Sequence, residues 1–172
     1  MEQKPFPECS RQTVGILQAG ARKAASVARE DWALLAIAAT HGLVPVQLQR
    51  TLYLLGQRFP KLGAGGFYEF RPVGSGDYCE QIYRDAEALS EKGLVTIGVS
   101  ERDGGRQYRV TPAGAERARA LAKHVRSPIL SELHTVAAWA RTRSVDQLGR
   151  GSNATAPVTP SSSSRRDPAH PR

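Results

Sequence analysis

Features that would indicate a membrane protein, a metal protein or a disulfide-bonded protein are scarce in this sequence. Its longest apolar run, Trp32 to Ala39, is far shorter than the ~20 residues that span a bilayer. The two cysteines lie far apart, at Cys9 and Cys79. The four histidines are scattered along the chain: His41, His124, His134 and His170. We therefore expect no membrane segment, no disulfide, no metal site and no cofactor.

Recognisable catalytic motifs are also missing. No predicted helix carries a histidine pair, no serine lies in a GxSxG segment, and no pair of carboxylates has an evident acid–base setting. The glycine-rich stretch KLGAGG, residues 61–66, lacks the GK[ST] ending of a phosphate-binding loop and is predicted to be a flexible joint. These absences favour a binding protein over an enzyme. Residues 1–30 also lack the apolar stretch of a secretory signal, so a cytoplasmic location is expected.

Basic residues are in excess, and the formal net charge is +8. Residues 1–30 contain five basic and three acidic side chains, residues 31–148 fifteen and twelve, and residues 149–172 four and one. Most of the excess therefore lies outside the central segment. Because a basic tail attracts polyanions without specificity, the net charge alone does not predict a nucleic-acid-binding surface.

Composition divides the chain into three segments. Residues 1–30 are rich in alanine and interrupted by glycine, which predicts a loosely ordered extension. Residues 31–148 carry the apolar periodicity of a folded domain. In residues 149–172, Val158 is the only aliphatic side chain larger than alanine. This Ser/Pro/Arg-rich tail buries too little apolar surface to offset the entropy of ordering, so we expect it to be disordered.

Apolar spacing and start signals predict two helices at the beginning of the folded domain. Asp31 suits the N-cap of the first, whose sequence DWALLAIAATHG is apolar on all sides and ends at Gly42. The second begins at Pro45 and ends before Pro60. Its apolar face is formed by Leu48, Leu52, Leu55 and Phe59. Residues 67–72, FYEFRP, alternate in polarity and predict a short strand.

The stretch DYCEQIYRDAEALSEKGLV, residues 77–95, predicts a third helix that ends at Gly93. Its expected core face is formed by Tyr78, Ile82, Ala86 and Leu89. Two short strands, LVTIGV and RQYRV, follow this helix, and the Asp-Gly pair between them is a strong hairpin signal.

Two further helices are predicted after the hairpin. Thr111 and Pro112 give the start signal of a fourth helix, and Ser127 and Pro128 repeat that signal for a fifth. The apolar face of the fifth helix is formed by Ile129, Leu133, Val136 and Ala140. The spacing of Ser144 and Gln147 matches a capping box.

The predicted fold is mainly α with a small β-hairpin: a winged helix-turn-helix with C-terminal helices. The segments LSEKGLV and GGRQYRVTPAGAERA resemble the wing region of bacterial winged helix regulators. A closer resemblance is to the YwgA-like winged helix proteins, which are related in outline to the SocA-like antitoxins. It is carried by VQLQRTLYLLGQRFP and EQIYRDAEALSEKGLV and spans about residues 31–148. It implies the fold more than a mechanism.

This chain departs from the family in two places. The YwgA-like proteins usually have a Tyr-Gly-Pro-type segment before the third helix, where this chain reads RPVGSGDYCE. The resemblance therefore does not assign to this chain any role that the segment has in the family. The family also continues with an amphipathic helix after the position of Leu148, so a frameshift near this codon is our hypothesis for the origin of the tail.

In winged helix proteins the third helix usually lies in the DNA major groove. Here its predicted outer face carries one basic side chain, Arg84, and four carboxylates: Asp77, Glu80, Glu87 and Glu91. Because most DNA affinity comes from neutralising phosphates, this face is poorly suited to the main contact. It is a solvated face, a docking face for a basic protein partner, or a surface on which Gln81 and Arg84 contact bases.

The predicted hairpin is a better candidate for phosphate contacts. It carries Arg102 in the turn and Arg106 and Arg109 on the return strand, which would clamp phosphates or simply be solvated charges of an edge strand. A second basic stripe is predicted on the fourth helix, where a solvated face is the alternative to phosphate contacts. It is formed by Arg119, Lys123 and Arg126.

The sequence therefore supports two hypotheses. The first is a cytoplasmic bacterial winged helix homodimer that binds double-stranded DNA and regulates transcription or a linked process. In it, Gln81 and Arg84 would contact bases, and the arginines of the hairpin would contact phosphates. The alternative is a winged helix protein-interaction module that docks a partner through the acidic third helix. A continuous basic band from hairpin to third helix favours the first, and an acidic patch flanked by exposed apolar residues favours the second.

Overall fold

The computed structural model describes residues 27–73, 76–101 and 104–149 of the chain. The extension predicted for residues 1–30 lies outside these ranges up to residue 26, and the predicted disordered tail lies outside them from residue 150. Arg102, predicted in the hairpin turn, also lies outside the described residues.

The described residues are mainly helical, with two small antiparallel hairpins. The helices are α1 (Arg29–Thr40), α2 (Pro45–Arg58), α3 (Gln81–Glu91), α4 (Pro112–Ala122), α5 (Ser127–Arg141) and α6 (Val145–Gly149). The strands are β1 (Arg71–Val73), β2 (Gly76–Tyr78), β3 (Val95–Val99) and β4 (Arg106–Val110), and β1 pairs with β2 while β3 pairs with β4. A 3₁₀ helix, Pro60–Gly65, occupies the glycine-rich stretch that was predicted to be a flexible joint.

Helix α1 is the centre of the core. Every residue from Trp32 to Ile37 is buried, which confirms the prediction of an all-apolar buried helix. Helices α2, α3, α4 and α5 all pack against it, so it has no solvated face along this stretch.

Both predicted ends of α1 are wrong. The helix begins at Arg29, inside the predicted extension, and its N-cap is Ala28. Asp31 lies in the first turn instead, where its buried carboxylate accepts a hydrogen bond from Arg117 at 3.4 Å. At the other end His41, not Gly42, adopts the left-handed conformation, with φ +62°. Gly42 is needed for close approach, because a Cβ there would lie 3.1 Å from the carbonyl oxygen of Tyr108.

Helices α2 and α5 complete the core, as their apolar stripes predict. Helix α2 contributes Leu48, Leu52 and Leu55, which are fully buried, whereas Phe59, the fourth residue of its predicted face, lies after the helix and is half-buried. Helix α5 packs against both α1 and α2 through the four residues predicted for its apolar face: Ile129, Leu133, Val136 and Ala140. An ion pair between Arg58 and Glu132 also joins α2 to α5.

The segment before α3 differs from its prediction. Helix α3 begins only at Gln81, because Tyr78 pairs with Arg71 in the β1–β2 hairpin. Tyr78 is therefore exposed and not part of the core, whereas Ile82, Ala86 and Leu89 are buried as predicted. Of the strand predicted at residues 67–72, only the last two residues are in a strand, because β1 begins at Arg71 and ends at Val73.

The β3–β4 hairpin and the caps around it agree with the sequence. Val95 pairs with Val110 and Val99 with Arg106, and Leu43 adds a single antiparallel bridge to Tyr108 of β4. Thr111 caps α4 by accepting a hydrogen bond from the Gly114 N–H at 3.0 Å.

At the C-terminal end of the described residues, α5 starts one residue earlier than its signal suggested, with Arg126 as N-cap and Ser127 as its first residue. Ser144 and Gln147 form the predicted capping box at 3.0 and 3.3 Å. Helix α6 then extends to Gly149, one residue into the predicted tail.

Candidate functional site

The start of α3 borders a cavity of about 570 Å³. Its walls come from four parts of the chain: the start of α1, the segment of residues 66–71, the β1–β2 hairpin and the first turn of α3. The β1–β2 hairpin is held on this side by α2, because Gln49 donates a hydrogen bond to the Asp77 carbonyl at 3.2 Å. The cavity is therefore bordered by the β1–β2 hairpin on one side and by the first turn of α3 on the other.

Asp85 does not line this cavity itself but bonds to three side chains that do. Its buried carboxylate accepts hydrogen bonds from Arg29 Nε at 2.9 Å, from the Tyr68 hydroxyl at 3.0 Å and from Gln81 Nε2 at 2.8 Å. Burial, together with the nearby Asp85 charge, raises the pKa of Tyr68. The hydrogen bond to Asp85 raises the pKa of Arg29. The start of α1 and Tyr68 are thus tied to one carboxylate of α3, and Gln81 links the first turn of that helix to the same group.

This network was not predicted, although one signal for it was present. Asp85 lies three residues after Ile82 and one before Ala86, within the apolar arc of the helix. A carboxylate in that position needs partners once it is buried. Its partner Arg29 lies 56 residues earlier, so local pattern could not identify it.

The two residues predicted to contact bases lie side by side at the start of α3, but each is bonded within the chain. Gln81 is half-buried and turned inward to Asp85. Arg84 is exposed and forms an ion pair with Glu80 at 2.8 Å. Gln81 is thus turned into the protein, whereas the Arg84 side chain remains 65% exposed and lines the cavity.

The hairpin arginines are also engaged by carboxylates. Arg106 pairs with Glu87 of α3 at 3.0 Å, and both side chains are about half-exposed. Arg109 lies 3.9 Å from Glu101 and donates a hydrogen bond to Gln107 at 2.8 Å. The structure thus brings Arg106 against the third helix, whereas Arg109 is held by residues of its own hairpin.

The acidic face of α3 is smaller than predicted. Asp77 belongs to strand β2 and is half-buried, and its hydrogen bond with Tyr53 raises the pKa of that tyrosine. The exposed carboxylates of the helix and its N-cap are Glu80, Glu87 and Glu91. These three still outnumber Arg84, so this face is not a basic band.

Exposed apolar side chains flank this acidic face. Among the described residues, the large hydrophobic side chains that are exposed are Val73 at 59%, Tyr78 at 41% and Val99 at 70%. Val73 and Tyr78 lie on the β1–β2 hairpin and line the cavity. The Tyr78 ring packs on Tyr83 with centroids 5.7 Å apart. We call the surface formed by Val73, Tyr78, Glu80, Arg84 and Glu87 the Tyr78 surface.

The basic stripe predicted on the fourth helix is exposed but is not confined to one helix. Only Arg119 lies within α4; Lys123 is its C-cap residue and Arg126 is the N-cap of α5. Positively charged side chains near the C-terminal end of a helix interact favourably with the helix macrodipole, which gives Arg119 and Lys123 a structural role.

The described ranges hold no candidate for a metal site or a membrane-spanning helix. There, no group of three or more histidine, cysteine or carboxylate side chains could hold a metal ion. No helix in the same part of the chain is both long enough and apolar enough to cross a membrane.

Neither the comparison with protein-family models nor the search of curated proteins finds a match to this chain. A functional assignment therefore depends on the geometry of the site.

Proposed function

We propose that this chain is a winged helix protein-interaction module that binds a protein partner through the Tyr78 surface. The order of elements supports the winged helix part: α1, the Leu43 bridge to β4, α2, an inserted 3₁₀ helix and β1–β2 hairpin, α3 and then the β3–β4 hairpin. A helical trio followed by a two-stranded wing is the arrangement of that architecture. The resemblance of residues 31–148 to YwgA-like proteins belongs to the same proposal.

The observation that carries the proposal is the internal pairing of charge around the start of α3. Arg84 pairs with Glu80, and Arg106 pairs with Glu87. To contact a phosphate, Arg106 would have to leave Glu87, and that carboxylate would then face the polyanion. Such a surface gains little from counterion release, the term that dominates affinity for duplex DNA.

A protein partner can use what remains exposed on this surface. Tyrosine is enriched among residues that dominate binding energy, because its ring buries a large area and its hydroxyl still bonds to a partner. Tyr78 and Val73 lie beside a concave cavity, and the charged residues form a rim around them. An apolar centre with a polar rim is the usual anatomy of a protein–protein interface.

Partner capture with the full chain tests this proposal. Wild-type protein, Tyr78→Asp and Ser131→Asp are used as baits in nuclease-treated extract of the native host. Ser131 is exposed on α5, so its substitution adds the same charge at a distant position. A protein captured by wild type and Ser131→Asp is then purified. We expect it to bind Tyr78→Asp at least ten-fold more weakly, about 1.4 kcal/mol. Equal binding by Tyr78→Asp would contradict the proposal.

Duplex DNA binding and transcriptional regulation form the second candidate, which is favoured by the exposed arginines of the hairpin. Arg109 is about half-exposed and only loosely paired with Glu101. A salt-titrated binding series on wild type, Arg84→Ala, Arg106→Ala and Arg109→Ala distinguishes the two candidates. If the hairpin binds phosphates, each lost contact lowers the magnitude of the salt slope by about 0.9. Under our proposal the slope is the same for all four proteins.

A further inference from the structure

The β3–β4 hairpin has one covered edge and one uncovered edge. On the β4 side, Tyr108 exchanges two backbone hydrogen bonds with Leu43, at 3.0 and 2.9 Å. On the β3 side, no other segment within the described ranges forms a backbone hydrogen bond with Val95–Val99. Strand β3 is therefore the edge strand of this small sheet.

The register of the hairpin shows which backbone groups point outward. At one end Thr111 donates to the Leu94 carbonyl at 3.1 Å, and at the other Ser100 donates to the Gly105 carbonyl at 2.7 Å. Bonded pairs in an antiparallel ladder recur at every second residue, so the even-numbered residues of β3 bond to β4. The N–H and C=O groups that point away from β4 belong to Val95, Ile97 and Val99.

Strand β3 lacks the features that usually protect an edge. Its sequence, VTIGV, contains no charged residue and no proline, and its pairing with β4 is one-to-one without a bulge. Val99 at its end is 70% exposed. An uncharged, β-branched edge of this kind is a template for pairing with another strand.

We propose that two copies of this chain associate by antiparallel pairing of their β3 strands about a two-fold axis at Ile97. In this register Ile97 faces Ile97 of the second copy, Val95 faces Val99, and Thr96 faces Gly98. Each outward-pointing residue exchanges its N–H and C=O with the opposing strand, which gives about six interchain hydrogen bonds.

The sequence of β3 favours a second copy over an unrelated chain as its occupant. When two identical edge strands pair about a two-fold axis, each charged side chain lies near the same charge on the second copy and is repelled by it. The sequence VTIGV contains no charged residue, so this repulsion does not arise. The strand also reads almost the same in both directions, with valine at both ends and isoleucine on the axis. The small Gly98 leaves room opposite Thr96, and both positions are exposed.

The interface is small, so we expect the dimer to be weak and its fraction to rise with protein concentration. Two five-residue strands, each ~17 Å long, bury much less than the ~1,600 Å² of a standard protein–protein interface. The dimer is therefore a reversible one.

Two double variants of the full chain test both the pairing and its register. Thr96→Glu with Gly98→Glu puts like charges opposite each other twice across the axis, whereas Thr96→Glu with Gly98→Lys puts opposite charges there. Both variants carry the same new carboxylate at position 96, which faces Arg109 of its own hairpin, so within the monomer they differ only at position 98, opposite Gln107. A Cβ at Gly98 meets no atom within 4 Å, so the substitutions fit the fold.

Sedimentation equilibrium across a concentration series is the measurement. We expect wild type and the variant with opposite charges to approach twice the chain mass, and the variant with like charges to associate at least ten-fold more weakly. The proposal is overturned if the two variants associate equally, or if wild type stays at the monomer mass up to about 1 mM.

Amide hydrogen exchange on the wild-type chain provides a measurement that needs no variant. The N–H groups of Ile97 and Val99 point outward, so their exchange should slow as concentration rises. Those of Thr96 and Gly98 bond to β4 and should be protected at every concentration. Exchange at Ile97 and Val99 that does not vary with concentration would overturn the pairing.

Discussion

Replacing Asp85 by alanine should destabilise the fold through the donors that it leaves behind. The carboxylate is buried and accepts hydrogen bonds from Arg29, Tyr68 and Gln81 at 2.8–3.0 Å. Without it the hydroxyl of Tyr68, a residue only 5% exposed, loses its acceptor. Gln81 is half-buried and regains part of its hydration, and the Arg29 side chain is 44% exposed.

These three partners contribute unequally to the cost. A buried donor without an acceptor costs about 1–3 kcal/mol, which applies in full to Tyr68 and in part to Gln81. Arg29 returns to solvent and contributes little, because an ion pair with an exposed partner is screened. We therefore expect Asp85→Ala to lower the free energy of unfolding by about 2–4 kcal/mol.

Urea unfolding of four proteins tests this reasoning: wild type, Asp85→Ala, Tyr68→Phe and the double variant. Removing the Tyr68 hydroxyl alone should be destabilising, but in the Asp85→Ala background it should be neutral or stabilising, since no orphaned donor is left. Glu91→Ala, at an exposed position of the same helix, is the control. A loss below about 0.5 kcal/mol for Asp85→Ala, or an equal Tyr68→Phe effect in both backgrounds, would refute the argument.

Three further predictions concern packing and titration. Leu133→Ala should lower the free energy of unfolding by about 2–5 kcal/mol, because Leu133 is 1% exposed; a change below about 0.5 kcal/mol in urea would show that its stripe is not core. Gly114→Ala should cost about 1–3 kcal/mol or more, because its Cβ would lie 1.9 Å from the Leu94 oxygen, whereas Gly63→Ala, with no atom within 4 Å, should fold normally in the same assay. Burial raises the pKa of Tyr83 from its usual 10.0 to about 12, so its contribution to stability is complete below pH 10 and is lost as pH rises toward 12. Thermal melts across that window should decline less steeply for Tyr83→Phe than for wild type, and parallel declines would contradict this assignment.

Local signals were sufficient for much of the fold. Proline at the start of α2, the Thr111 cap, the Asp-Gly turn signal and the Ser144–Gln147 capping box each act within a few residues, and each matches the structure. The apolar stripes of α2 and α5 act in the same way, because a helix must bury one face. For these elements local preference and tertiary packing agree.

The start of α3 could not be predicted because two patterns compete there. Tyr78 has helical spacing to Ile82, but it also lies in a segment that pairs with Arg71 as a hairpin. The hairpin forms, so the aromatic ring expected in the core becomes the centre of an exposed surface. Apolar periodicity alone does not distinguish a core position from a docking position.

The charge pairs of the candidate site were equally hidden. Glu87 and Arg106 belong to different elements, and the sequence suggested an acidic helix beside a basic hairpin. Only the packing of α3 on the β3–β4 hairpin shows that these opposite charges neutralise each other. Our proposal of a protein partner therefore rests on this tertiary contact and not on composition.

The packing of α5 over α1 and α2 has a consequence for the chain as it is made. Gln47 of α2 donates a hydrogen bond to the carbonyl of Arg141, 94 residues later. At about 5–20 residues per second, α2 leaves the ribosome on the order of ten seconds before the helix that covers it. During that interval α5 does not cover the leucine face of α2. An exposed apolar face of this kind is a surface that chaperones bind. A ribosome that stalls before Ile129 therefore holds a chain in which α5 does not cover α1 and α2, and the core closes only after the residues up to Arg141 have left the ribosome.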